Sequence, residues 1–274
     1  MVMRRIAAYV FAFTAVIAVA PAAAPQISIQ KPYVETTVTV DPALKQFADL
    51  FANCLAEGKA WADRVTNDAT AQWHSDRSAF RDGMKWSEDR EYALRSVVGP
   101  YVSVVRSDGT FEGGAHPNQE IDTILWSNTA RKRTNIRPFF NETADNGPTM
   151  TALAQLARLA VAAEKLSKGI NGYDDDDIPA DKLTPEQEIK RDNFVAQGVQ
   201  PALLRLGPVT LAPSTDAGKS AGLTFHYSPY AVGPYVEGPH TVFVPWTAFA
   251  QYLSDEGKQL FGGTRPPNDA EKWD

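Results

Sequence analysis

Cysteine occurs once in the 274 residues, at Cys54, so no disulfide can form within the chain and its stability must come from packing. Cys54 lies on the stripe Leu44, Phe47, Phe51, Leu55 at helical spacing, with no histidine or cationic neighbour to lower its pKa. It reads as a small core hydrophobe rather than a nucleophile. Basic charge is scarce: the formal net charge is −6, and the one compact basic group is ARKRTNIR at 130–137. A phosphate backbone needs a clustered basic face, so nucleic acid is excluded as a partner and the basic group reads as a solvated turn. Beyond residue 22 no stretch approaches the roughly 18 apolar residues of a membrane span. The four histidines, His74, His116, His226 and His240, have no HExxH or CxxC spacing, and there is no GxSxG elbow. No metal, no cofactor and no catalytic residue is assigned.

What is present begins with Arg4 and Arg5, then an uncharged apolar run from Ile6 to Ala20 and small residues. That order of charge, apolar core and cleavable small residues describes a secretory signal over 1–22, cut after Ala22. The expectation is a periplasmic protein, secreted across the inner membrane. Loss of Arg4 and Arg5 takes the net charge from −6 to −8. The remaining residues suffice for one good core or two small ones.

Alternation through Val34, Thr36, Val38 and Val40 predicts a strand within 25–40. Asp41-Pro42 then starts a helix, with Asp as N-cap and Pro where its missing N–H costs nothing. The helix runs to about Glu57, is open to interruption at Gly58, and resumes through Trp61, Val65 and Ala69. Residues 88–98 and 101–107 read as strands joined by Gly99-Pro100, with a further turn at Ser107-Asp108-Gly109 and a strand through Ile121, Thr123 and Leu125. Such short links imply antiparallel pairing. A helix over 148–168, a capping box at Thr184 to Gln187, alternation through Leu223, Phe225 and Tyr227, a strand from Thr241 to Trp246 and a short helix with Phe249, Tyr252 and Leu253 complete the reading. Helices and strands fall in runs without strict βαβ alternation. The expected class is therefore α+β, an antiparallel sheet packed with helices, with an N-terminal strand and helical part at 25–87, the main module at 88–262 and a polar tail at 263–274.

The segment FEGGAHPNQE poses the functional question. Gly113 and Gly114 permit backbone angles closed to other residues, and His116-Pro117 directs the exit of the chain, so the segment reads as a structural or ligand-facing turn. His226 alternates with Leu223, Phe225 and Tyr227 and is expected on the solvated face. The run Asp174 to Asp177 lacks the ligand spacing of an EF-hand and reads as a solvated loop. In HYSPYAVGPYVEGPHTVFVPW, Tyr227, Tyr230, Tyr235, Phe243 and Trp246 surround a rigid Pro/Gly connection, and such rings serve equally as core or as contact surface for proteins and sugars.

GGAHPN followed by a strand and IRPFF, then GLTFHYSPYAVGPYVEGPHTVFVPW after a long helical interval, resembles the secreted domain family of unknown function found in RsiV-type anti-sigma factor ectodomains and in the accessory region of PdaC-type peptidoglycan deacetylases. The matched blocks cover roughly 88–140 and 220–253. The resemblance implies an extracytoplasmic α+β module at the cell wall and, from the RsiV-type members, lysozyme binding. The deacetylase metal motifs and a sigma-binding segment are not found, so neither activity is carried over. The expectation is a non-catalytic binding protein of the cell envelope for a lysozyme-like muramidase or peptidoglycan fragments, with Gly113, Gly114, His116, Pro117, Tyr230 and Tyr235 at the contact. The alternative is an enzyme on cell-wall glycans using His116 with His226 or His240.

Overall fold

The computed structural model describes residues 26–171 and 178–269. The signal at 1–22 and the run Asp174 to Asp177 lie outside the described residues. Where one strand was expected, the turn at Pro32-Tyr33 separates β1 (Ile27–Lys31) from β2 (Val34–Val40), which pair antiparallel. Val34, Thr36, Val38 and Val40 are fully buried, and Asp41 accepts a 2.8 Å hydrogen bond from the Ala43 amide to begin a 3-10 turn.

A single helix follows, α1 (Ala48–Ser75), and Gly58 does not interrupt it. The glycine is there for close approach: a Cβ at position 58 would lie 2.6 Å from Val38 Cγ1 and 3.4 Å from the Tyr92 ring. Leu50, Cys54, Gly58, Trp61, Ala62, Thr66 and Ala69 form the buried stripe, one step around the helix from Phe47, Phe51 and Leu55, and pack on the sheet. Burial pushes the Cys54 thiol up to about 12.

Next come β3 (Trp86–Val98), β4 (Tyr101–Phe111), β5 (Asn118–Ser127) and β6 (Lys132–Thr134), completing a six-stranded sheet in the order β1-β2-β3-β4-β5-β6. Its pairs are antiparallel except β2 with β3, which are parallel because α1 carries the chain back between them. Ser107-Asp108-Gly109 makes no turn. It continues β4, where Asp108 stands opposite Arg90 and forms a buried bidentate ion pair at 2.5 and 2.6 Å, while Gly109 clears the Asp89 carboxylate. The basic group at 130–137 finds acids on α1: Arg131 bonds Asp49 at 2.5 and 2.8 Å, and Arg133 reaches Asn53 and Glu57.

The second half contributes α2 (Pro148–Ser167), α3 (Pro185–Arg191) with the expected capping box at Thr184, and α4 (Asn193–Gly198), separated from α3 at Asp192. A three-stranded antiparallel sheet follows: β7 (Val209–Pro213), absent from the sequence reading, then β8 (Ser220–Tyr227) and β9 (His240–Pro245). β7 is fastened to the larger sheet by side chains: Ser103 Oγ accepts from the Leu211 amide at 3.1 Å, Thr123 Oγ1 accepts from the Val209 amide at 3.0 Å, and Ser96 Oγ donates to the Leu211 carbonyl at 2.5 Å. A second apolar core joins α2 to β8 and β9 through Leu153, Ala157, Val161, Phe225, Tyr227 and Val242. Where one short helix with Phe249, Tyr252 and Leu253 was expected, two 3-10 turns, Trp246–Ala248 and Ala250–Tyr252, precede α5 (Asp255–Leu260). Asp269 is buried in a bidentate pair with Arg95 at 2.5 and 2.8 Å. The class is α+β. Among the described residues no helix is long and apolar enough to cross a membrane.

Candidate functional site

The β4–β5 connection reverses through Gly113 and Gly114, with φ of 97° and 112°, angles that side chains with a Cβ rarely adopt. The reversal presents His116 and Pro117 toward the β8–β9 connection. The His116 ring stacks on Tyr235 with centroids 3.8 Å apart and planes 19° apart. Tyr230 completes the group, its ring 5.5 Å from Tyr235 and 6.4 Å from His116. Pro117 O accepts from Tyr235 Oη at 2.7 Å and lies 2.9 Å from His116 Nδ1. A carbonyl only accepts, so His116 Nδ1 is the donor of that contact, and Nε2 lies 3.4 Å from Tyr230 Oη.

All six residues expected at the contact, Gly113, Gly114, His116, Pro117, Tyr230 and Tyr235, therefore belong to two neighbouring loops at one exposed corner. Tyr230 is 55% exposed and has φ of 70°, a left-handed conformation unusual for a bulky residue. The corner is held from below. Ser228 Oγ accepts from the Ile121 amide at 2.8 Å, tying the tyrosine loop to β5. Lys165 on α2, fully buried, bonds Asp192, lies 3.0 Å from Glu237 Oε2 and donates to the Val232 carbonyl at 3.2 Å. The loop thus wraps a buried ammonium. His240 extends this network, with Nδ1 2.5 Å from Glu164 and Nε2 3.2 Å from Glu237. Burial opposes ionisation of Glu164, but hydrogen bonds with His240 and Lys168 hold its carboxyl below the usual range.

The remaining histidines do not join His116. Tyr227 stands opposite His240 and His226 opposite Thr241, so His226 and His240 point to opposite faces of the β8–β9 ribbon. His226, expected in solvent, is 2% exposed: its Nε2 lies 2.9 Å from Thr210 Oγ1 on the neighbouring strand β7, and Glu91, Ala93, Val105 and Ile121 of the larger sheet line the space on its face. Burial, aided by Arg95 and Arg265, lowers its pKa to about 3. Tyr227 is core, its hydroxyl donating to the Leu206 carbonyl at 3.0 Å. Among the described residues, no three His, Cys, Asp or Glu groups converge as a metal site. Lys165 escaped the sequence reading although a signal was present: it continues the spacing of Leu153, Ala157 and Val161 on the apolar stripe, where a charge requires buried partners.

The fold is an α+β module that carries an exposed corner of three stacked or tilted rings, His116, Tyr230 and Tyr235. Residues 144–247, from just before α2 to just after β9, match the family described as "Protein of unknown function (DUF3298)". They include most of the tyrosine-rich block at 220–253 and none of the block at 88–140. The chain is similar in fold to the crystal structure of a DUF3298 family member from Bacteroides fragilis, with a TM-score of 0.53 and 14% identity over 84% of this chain and 92% of that one. A DUF3298 family protein from Pseudomonas aeruginosa aligns with a TM-score of 0.48 and 16% identity, over 84% of this chain and 88% of that one. No curated protein matches.

Proposed function

We propose that this chain is a non-catalytic, periplasmic binding protein of the cell envelope, and that it docks a lysozyme-like muramidase through the corner formed by His116, Tyr230 and Tyr235. The observation that carries the reading is the stacking of His116 on Tyr235, which joins two loops far apart in sequence into one rigid surface. Exposed, pre-ordered rings supply contact area at low entropic cost and are the usual anchors of protein interfaces. The likeness of the two loop sequences to RsiV-type ectodomains directs the reading to a lysozyme-like partner. The net negative charge suits a basic enzyme, by steering its approach.

The exposed Tyr230 ring also favours a second reading, a peptidoglycan sugar as ligand. Enzymatic turnover through the histidines gains no support from the geometry, since His226 and His240 face opposite ways and are buried. The test is surface-plasmon binding of the purified protein to immobilised lysozyme and, separately, to soluble muropeptides. Tyr235→Ala and His116→Ala are each expected to weaken binding by about 30-fold, the effect of losing an interface anchor of ~2 kcal/mol. Binding to neither ligand would reject the proposal.

A further inference from the structure

A groove of about 860 Å³ runs between α1 and the ends of β3, β4 and β5, away from the aromatic rings of the corner. On its strand side Glu88 is 2% exposed, yet its Oε1 is buried without a hydrogen-bond partner. Buried carboxyl oxygens are almost always bonded, so this one is an acceptor without a donor. The other charged groups do not supply it. Arg90 is committed to Asp108 through two hydrogen bonds and lies over the Trp61 ring at 4.6 Å. Arg106 is committed to Glu57 at 2.8 Å and Asp122 at 3.1 Å. Asp68 on α1, Glu112 on the β4–β5 loop and Glu120 on β5 also line the groove, leaving Arg64 on α1 as the cation outside those pairs. The groove therefore carries an excess of negative charge and one deeply placed orphan acceptor.

We propose that this groove binds a primary alkylammonium group, seated against the carboxylate of Glu88. A compact ammonium suits a single buried oxygen, whereas a guanidinium needs a planar pair of acceptors. A metal ion is disfavoured because no three potential ligands converge among the described residues. Burial, with repulsion from Glu112, Asp89 and Asp108, raises the Glu88 carboxyl to about 8. In the empty groove at neutral pH it therefore carries a proton. Seating a cation leaves the carboxylate ionised and releases that proton to water, so affinity rises with pH from 6 to 8. None of the corner residues His116, Tyr230 and Tyr235 lines the groove, so this proposal does not rest on the aromatic corner.

Calorimetric titration of the full chain with Nα-acetyl-lysine amide, with cadaverine and with the uncharged Nα-acetyl-norleucine amide tests it. The first stands for a lysine side chain of a protein and the second for a free diamine, so a preference between them identifies the source. Saturable binding of at least one amine is expected, absent for norleucine, rising with pH in the wild type, and weakened at least tenfold in Glu88→Gln. The double variant Glu112→Gln/Glu120→Gln, altered only at exposed positions, should show a partial loss with unchanged thermal unfolding. Binding of neither amine, equal binding of norleucine, or undiminished affinity in Glu88→Gln would overturn the proposal.

Discussion

Replacing Glu88 by Gln substitutes a neutral amide of the same shape for a carboxyl that folding keeps protonated. In the unfolded chain the group ionises near 4.5, whereas the fold raises it to about 8. Between those values the folded protein holds one more proton than the unfolded chain, so raising the pH withdraws stability from the wild type across that window and leaves the loss constant above it. The displacement corresponds to ~5 kcal/mol at full strength. Water in the open groove screens the neighbouring carboxylates, and the expected loss is about half that. The substituted amide has no proton to lose. Urea unfolding followed by tryptophan fluorescence, at five pH values from 5 to 9, should therefore show the stability of Glu88→Gln relative to wild type rising by about 2–3 kcal/mol. The comparison cancels titration elsewhere in the molecule. Parallel stability curves for the two proteins would refute the reasoning, because they would mean that Glu88 ionises as easily in the fold as in water.

Lys165→Met should destabilise the protein by about 3–5 kcal/mol in the same assay, because it leaves Asp192 and Glu237 without their buried cation. It should also raise hydrogen exchange in the loop at 228–239, which Lys165 anchors through Val232 and Glu237. Gly58→Ala drives a methyl group against Val38 and should cost about 1–3 kcal/mol, read as a lowered urea midpoint at unchanged slope. Cys54, fully buried and raised to about 12, should resist a thiol reagent at pH 8 in the native protein and react at once in denaturant; rapid native labelling would place it outside the α1 core.

Local chemistry made much of this protein readable before its fold was known. Asp41 and Thr184 announce their turns because each side chain caps its own backbone, and the valines from Val34 to Val40 announce a buried face because strand side chains alternate. The six residues of the corner were legible as two separate loops, since paired glycines and Pro-rich tyrosine segments have local conformational meaning.

That the two loops meet is a tertiary fact. It depends on β7 bonding to Ser103 and Thr123 across the larger sheet and on Lys165 drawing Glu237 and Val232 inward, contacts between residues far apart in the chain. Gly58, Asp108 and His226 were misread for the same reason. A glycine in a helix, an Asp-Gly pair and an alternating histidine look like a break, a turn and a solvated side chain until Val38, Arg90 and the larger sheet are set against them. Charge in a sequence carries a sign but no burial. The packing of α1 over β3 removes water from Glu88 while supplying Oε1 with no donor in return, and nothing in the local sequence announces it.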